Sequence, residues 1–264
     1  MDLQLKNKKA LVTGSTAGIG LAIAKSLLRE GASVIINGRS VNRIVEAISE
    51  IQKEIPGCDI KGIAADFTDA KQVNNLVKEA GNIDILINNV GIFEPKQFFD
   101  IPDADWFKFF EVNVMSGVRL SKAFMPHMLQ QDWGRIIFIS SESGVLIPEE
   151  MIHYGTTKTA QLAVSRGLAE LTKGTAVTVN AVLPGPTWSE GASSFIENLA
   201  TSLKQPVKEV EASFFKEGRP TSLLQRFATV DEIASMVTYL VSPLSSATNG
   251  AAIRVDGGVV KHIL

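Results

Sequence analysis

Three residues in the second half of the chain could move a proton together. Tyr154 and Lys158 stand four apart in Tyr154-Gly155-Thr156-Thr157-Lys158, where a helical pattern begins. That spacing puts both side chains on one face of a helix. A free phenol titrates at about 10, and a neighbouring ammonium favours the phenolate and lowers that value. The pair could then exchange a proton with an alcohol or a carbonyl near neutral pH. Ser141, in Ser140-Ser141-Glu142-Ser143-Gly144, ends an apolar run and could hydrogen-bond the same substrate oxygen.

A second group of residues could hold a dinucleotide. Thr13-Gly14-Ser15-Thr16-Ala17-Gly18-Ile19-Gly20 follows the apolar run Ala10-Leu11-Val12 and leads into an amphipathic stretch. A strand, a glycine turn and a helix in that order present backbone N–H groups and the positive end of a helix dipole, which suit a pyrophosphate. Gly14, Ser15, Thr16, Gly18, Ile19 and Gly20 are the candidate contacts. Glycines let the turn close tightly and the ligand approach the backbone.

After the second apolar run the chain reads Ile36-Asn37-Gly38-Arg39-Ser40, with no acid to take a ribose 2′-hydroxyl. Arg39 offers a fork of donors suited to a 2′-phosphate, so the expected cofactor is NADP(H) rather than NAD(H). Arg43 is a weaker helper, and Ala17 adds no second charge. Asp66 is placed to accept from an adenine amino group or, alternatively, to cap the helix starting near Thr68-Asp69. In Asn88-Asn89-Val90-Gly91 the amides can knit neighbouring loops, Asn89 among them, and Gly91 leaves room for a cofactor.

These groups need a scaffold that brings strand ends together. Apolar runs at 10–13, 34–37, 61–65, 83–88, 135–140, 177–183 and 252–255 are continuous in Ile, Val, Leu and Ala, as strands buried on both faces are. Helical patterns at 19–30, 40–54, 69–80, 103–131, 153–173 and 229–241 lie between them. The alternation predicts an α/β chain with a Rossmann-type, doubly wound parallel sheet of about seven strands and helices on both faces. Ligands then bind beyond the carboxyl ends of the strands, where every motif above falls. No linker divides residues 1–264, so one domain is expected. Residues 185–227 offer no strand and only patchy helix, which fits a substrate lid or an excursion packed on its own domain or another subunit.

Composition narrows the partners. With 26 basic and 28 acidic residues there is no general attraction to nucleic acid or anionic lipid. One cysteine, Cys58, cannot form an internal disulfide, and the N-terminus lacks a signal-peptide core. No apolar stretch is long enough to span a membrane. A cytoplasmic protein is expected. His127, His153 and His262 lack ligand spacing, so no metal site is expected. The turn lacks the lysine of a P-loop, and no Gly-x-Ser-x-Gly surrounds Ser141.

Taken together these motifs resemble the short-chain dehydrogenase/reductase family, in its compact single-domain form and similar to the 3-oxoacyl reductases. The turn Thr13-Gly14-x-x-x-Gly18-x-Gly20 is similar to that family's cofactor signature, and Asn88-Asn89-Val90-Gly91 to its Asn-Asn-Ala-Gly motif with Val90 for alanine. The resemblance implies that Asn113, Ser141, Tyr154 and Lys158 form the catalytic tetrad, with Asn113 positioning the lysine through water. It implies that Pro184, Gly185, Thr187 and Ser189 border the nicotinamide, and that Tyr154 and Lys158 also touch the cofactor. It covers the chain through Asp256-Gly257-Gly258. Helices near 103–131 and 153–173 would pair across a two-fold axis in a homotetramer or dimer.

The implied reaction is hydride transfer between the cofactor and a small carbonyl or alcohol substrate, the positive nicotinamide ring adding to the pull on the phenol. A cofactor-binding sensor on the same fold is the competing class. The substrate is less legible. Trp188, Phe195, Phe214 and Phe215, with Leu146, Ile147 and Met151, suggest an apolar pocket for a hydrophobic ketone, a steroid-like ring or a 3-oxoacyl thioester. Glu94, Glu142, Glu149 and Glu150 are expected at its entrance, with Lys96 opposing them.

Overall fold

The apolar runs form the strands of the computed structural model, which describes residues 2–263 apart from the side chain of Phe195. In chain order the strands are β1 (Lys9–Val12), β2 (Ser33–Gly38), β3 (Ile60–Ala64), β4 (Ile85–Asn88), β5 (Gly134–Ile139), β6 (Val177–Pro184), β7 (Thr187–Trp188), β8 (Ala228–Thr229) and β9 (Ala252–Val255). Seven of them form one parallel sheet in the order β3-β2-β1-β4-β5-β6-β9. Every residue of β4, β5 and β6 is buried, which is why those runs show no polar alternation. The winding reverses between β1 and β4, so the loops after these two strands flank a crevice.

The helices are α1 (Gly18–Arg29), α2 (Val41–Glu54), α3 (Ala70–Ala80), α4 (Asp103–Phe109), α5 (Ser116–Gln130), α6 (Ile152–Glu170), α7 (Glu190–Leu203), α8 (Val207–Ser213) and α9 (Val230–Leu240). One sheet face packs Ile23 and Leu27 of α1, Ile44 and Ile51 of α2, and Ile233 and Val237 of α9. The other packs Val73 and Leu76 of α3, Leu120 and Phe124 of α5, and Ala169 of α6. Four of the helices, α2, α3, α7 and α9, start at a side chain that accepts from their free N–H groups. Asp69 caps α3, and Thr229 with Glu232 forms a full capping box on α9.

Two stretches differ from the sequence expectation. The single helix expected at 103–131 is α4 and α5 joined by a π-helical turn, Phe110–Met115. The wide turn carries Asn113 inward, where its amide bonds the Ile92 backbone from the side. The segment 185–227 is mostly helical, not irregular, and its ends form strands. Ala192, Ile196, Leu199 and Ala200 recur at helical spacing and pack with Val210, Phe215 and Phe227 in a small core of their own. The serines and Gly191 around them obscured that period. Thr187 pairs with Ala228 and Trp188 with Thr229, so this two-stranded ladder ties the two ends of the segment together.

Candidate active site

The crevice between β1 and β4 is held open by short polar ties. Thr13 Oγ1 accepts from the N–H groups of Asn89 (2.9 Å) and Val90 (3.0 Å), and Asn89 Nδ2 donates to the carbonyls of Thr13 and Gly14. Asn37 at the end of β2 accepts from Gly14 N and donates to Ile63 O, joining the glycine turn to β3. The sequence reading passed over Asn37, although a polar residue in an apolar strand is a visible signal. Ser15 is bound within the turn. Its hydroxyl donates to Val12 O and accepts from Asn37 N, and its own N–H goes to Asn37 O, so it braces the turn.

The cradle fits a pyrophosphate. Helix α1 begins with no side-chain cap and no acid in its first turn, leaving its N-terminal donors open. Gly14 and Gly18 have φ of +58° and +57°, and a Cβ on Gly20 would stand 2.5 Å from both Asn89 Nδ2 and Gly14 O. Beyond the cradle, a cavity of about 300 Å³ is lined by Thr16, Gly38, Arg39, Asp66 and Gly91. An acid at Gly38, as in an NAD site, would require Thr16 to move, because a Cβ there would meet Thr16 Cγ2 at 2.7 Å. Arg39 is exposed and makes no hydrogen bond among the described residues, while Arg43 is engaged by Glu190 of α7 at 2.8 Å. Asp66 does not cap α3. It accepts from the backbone and hydroxyl of Thr68, which, with the nearby Arg39 charge, hold its carboxyl below the usual range.

A second cavity, about 340 Å³, continues from the first. Ile19, Asn89 and Gly91 line one side, and Ser141, Tyr154 and Lys158 another. Pro184, Gly185, Thr187 and Ser189 close it from the loop after β6. Thr187 donates to Gly185 O, and Ser189 caps α7 by accepting from Ala192 N. Gly185 is pressed against Asp256, where a Cβ would stand 2.5 Å from the carbonyl oxygen. The Asp256 carboxylate in turn binds the N–H groups of Gly258 and Val260.

Asn113 is fully buried beneath this cavity, donating to Ile92 O and Thr157 Oγ1. The structure joins it to Lys158 through a residue the sequence reading missed. Gln161 Nε2 donates to Asn113 O (2.6 Å), and Gln161 Oε1 accepts from Lys158 Nζ (3.1 Å). A lysine can only donate and a carbonyl only accept, so the amide's orientation is fixed by its partners. Lys158 also donates to Ile139 O at 2.9 Å. Burial, partly offset by the Glu142 charge, lowers the Lys158 pKa to about 7.

The phenol behaves differently from the expectation. Lys158 Nζ lies 5.6 Å from the Tyr154 ring centre, on the same helix face. Yet burial and the Glu142 carboxylate push the phenol's pKa up, against a smaller opposing pull from the Ser141 hydroxyl. Without a bound cofactor's charge the resting group is the neutral phenol.

The substrate end keeps an apolar lining, but partly from other residues than expected. Phe214, Met151 and Phe93 line it, but Phe215 is in the small core of 185–227, and Leu146, Ile147 and Trp188 point elsewhere. The side chain of Phe195 lies outside the described residues. Glu142 is not at an entrance but 5% exposed, accepting from Ser141 Oγ at 2.5 Å and from Arg219 Nε at 3.3 Å. Glu150 stands 3.7 Å from the same guanidinium. Glu94 and Lys96 belong to the outer surface, where Lys96 pairs with Asp105 at 2.5 Å. His153 packs against Phe109, ring centres 4.2 Å apart, and takes no part in the cavity.

Comparison with known proteins gives the family and agrees with the fold. The family model described as short chain dehydrogenase matches residues 8–200. The chain is 50% identical over 263 residues to the uncharacterized oxidoreductase YvaG of Bacillus subtilis, covering 100% of both. It is 34% identical over 264 residues to the 3-oxoacyl-[acyl-carrier-protein] reductase FabG of Aquifex aeolicus, covering 98% of this chain and 100% of that one. The structure of L-sorbose reductase from Gluconobacter frateurii, complexed with NADPH and L-sorbose, matches with a TM-score of 0.94 at 29% identity over 100% of both chains. The chain belongs to the short-chain dehydrogenase/reductase family. It is an oxidoreductase with a nicotinamide-cofactor fold.

Proposed function

We propose that the protein interconverts a small carbonyl compound and its alcohol by reversible hydride transfer, with Tyr154 as acid and base and NADP(H) as cofactor. The observation that carries this reading is the meeting of Ser141, Tyr154 and Lys158 on one wall of a cavity that opens onto the glycine turn. The bound nicotinamide supplies or takes the hydride at the substrate carbon. In reduction the phenolic proton of Tyr154 passes to the carbonyl oxygen, so a carbonyl, a hydride and a proton become an alcohol. In oxidation the phenolate takes the hydroxyl proton back. Reduction starts from the phenol, the resting form, and the raised pKa of Tyr154 opposes its ionisation, so a positive charge beside the ring must offset it.

Ser141 orients the substrate oxygen, Lys158 holds the ribose and favours the phenolate when charged, and Asn113 with Gln161 fixes Lys158 in place. Gly14, Thr16, Gly18, Ile19 and Gly20 cradle the pyrophosphate, with Asn89 and Gly91 beside them and Ser15 bracing the turn. Asp66 takes the adenine, Arg39 the 2′-phosphate, and Pro184, Gly185, Thr187 and Ser189 border the nicotinamide. Residues 185–227 cover the substrate end, to which they contribute Phe214, Arg219 and Phe227. Tyr154→Phe tests the reading. NADPH oxidation with a ketone panel should be lost while NADPH binding, read by fluorescence, persists; turnover retained in that variant would overturn the mechanism.

A further inference from the structure

The proposed reaction does not explain why a carboxylate is buried beside the group that must bind a developing oxyanion. Glu142 raises the pKa of Tyr154 and so opposes ionisation there. It also competes for the one proton of the Ser141 hydroxyl, whose Oγ donates to Glu142 Oε2 at 2.5 Å and otherwise pulls on the Tyr154 oxygen. The same Oγ accepts from Ser143 N at 3.1 Å, so Ser141 has no second donor for a substrate. Glu142 itself is underused. A carboxylate offers about four acceptor positions, and among the described residues only Ser141 and Arg219 fill any.

We infer that Glu142 is a specificity residue that accepts a hydrogen bond from a hydroxyl on the carbon next to the substrate carbonyl, which makes the substrate a neutral hydroxyketone. This rests on the hydride-transfer reading above. A substrate carbonyl that bonds Ser141 Oγ stands two hydrogen bonds from Glu142, since Oγ is 2.5 Å from Oε2, and a hydroxyl on the adjacent carbon extends toward that carboxylate. That hydroxyl replaces the Ser141 proton on Glu142 and frees Ser141 to donate to the carbonyl. A plain ketone cannot make the exchange. It either leaves Ser141 committed to Glu142 or strips a buried carboxylate of its donor, and unpaired buried charge is costly. Arg219 is the positioning residue. Its Nε holds Glu142 Oε1, and Glu150 stands 3.7 Å from the same guanidinium, so Arg219 is engaged by two acids and is not free to take an anionic substrate.

The test is a matched pair of ketones with NADPH, 1-hydroxyhexan-2-one and heptan-3-one, which differ by a hydroxyl in place of a methyl. The wild-type enzyme should favour the hydroxyketone in kcat/KM by about tenfold to a hundredfold, the range of a hydrogen bond to a charged group. The Glu142→Met/Arg219→Met double variant removes both buried charges together and should bring the ratio close to one. Glu142→Gln, which keeps a neutral acceptor, should retain part of it. Both variants are first checked for a cofactor-induced rise in melting temperature, and if neither folds the wild-type ratio decides alone. Turnover without wild-type preference, or a preference unchanged in the folded variants, overturns the assignment and leaves hydride transfer standing. A wild-type enzyme inert to both ketones and to keto-sugars, with NADPH and NADH alike, overturns the reaction reading and the assignment with it.

Discussion

At the scale of single residues, two side chains offer direct tests of the proposed cofactor choice and proton chemistry. Arg39 has its guanidinium unengaged at the mouth of the adenine cavity, whereas Arg43 is tied to Glu190. Arg39→Ala should therefore lower kcat/KM for NADPH tenfold or more and change that for NADH little, since a bidentate charge-assisted contact is lost for one cofactor alone. A wild-type preference for NADH would refute the assignment. Gln161 is the second. Its Oε1 accepts from Lys158 and so favours the ammonium over the amine, the form that burial disfavours. The Lys158 proton is lost as pH rises through about 7. In Gln161→Leu that limb of the kcat/KM profile should move to lower pH, by about one unit for one hydrogen bond to a charged group. An unmoved profile would leave Gln161 a packing residue. Tyr154, Lys158 and Ser141 could be read from the chain because their spacing and strand ends are local. Gln161 and the buried state of Glu142 could not, because their partners lie on other elements.

At the scale of elements, caps and periods decide what is legible. Helix α9 announced itself through Thr229 and Glu232, and the structure shows both halves of that capping box, with Arg226 pairing Glu232 at 2.8 Å. Thr229→Ala should lower stability by about 1 kcal/mol, a few degrees in melting temperature. The pH dependence has a definite sign. Arg226 and the Thr229 backbone lower the Glu232 pKa to about 2, below its unfolded value. Its contribution is present above about 4.5 and lost as pH falls through about 2. The destabilisation by Glu232→Gln, read by urea unfolding, should therefore shrink between pH 7 and pH 3. A difference that stays constant would show the carboxylate idle. The π-helical turn at Phe110–Met115 left no local mark, since its cause is the pull of the Ile92 backbone on Asn113. Helix α7 did leave one in Ala192, Ile196, Leu199 and Ala200, masked by serines that cap and solvate its other side.

At the scale of the whole molecule, the doubly wound parallel sheet follows from the alternation of buried runs and helices, but the order of its strands and the outer surface do not. Phe99 is 95% exposed and Phe107 75%, with Phe98 and Leu171 also open to solvent. An apolar groove of about 310 Å³ runs between α5 and α6, lined by Val118, Met125, Leu129, Val164 and Leu168. Large exposed aromatic side chains on neighbouring helices are costly to leave in water and mark a contact surface. The pairing expected of α5 and α6 about a closed two-fold axis would cover the same surface on both partners. Light scattering at micromolar concentration should give two or four times the 28.5 kDa chain mass. Phe107→Glu with Leu171→Glu should reduce that mass while leaving NADPH binding intact, since neither residue lines the two cofactor cavities. A wild-type mass of one chain would refute the assembly and leave α4, α5 and α6 as a cover for the sheet alone.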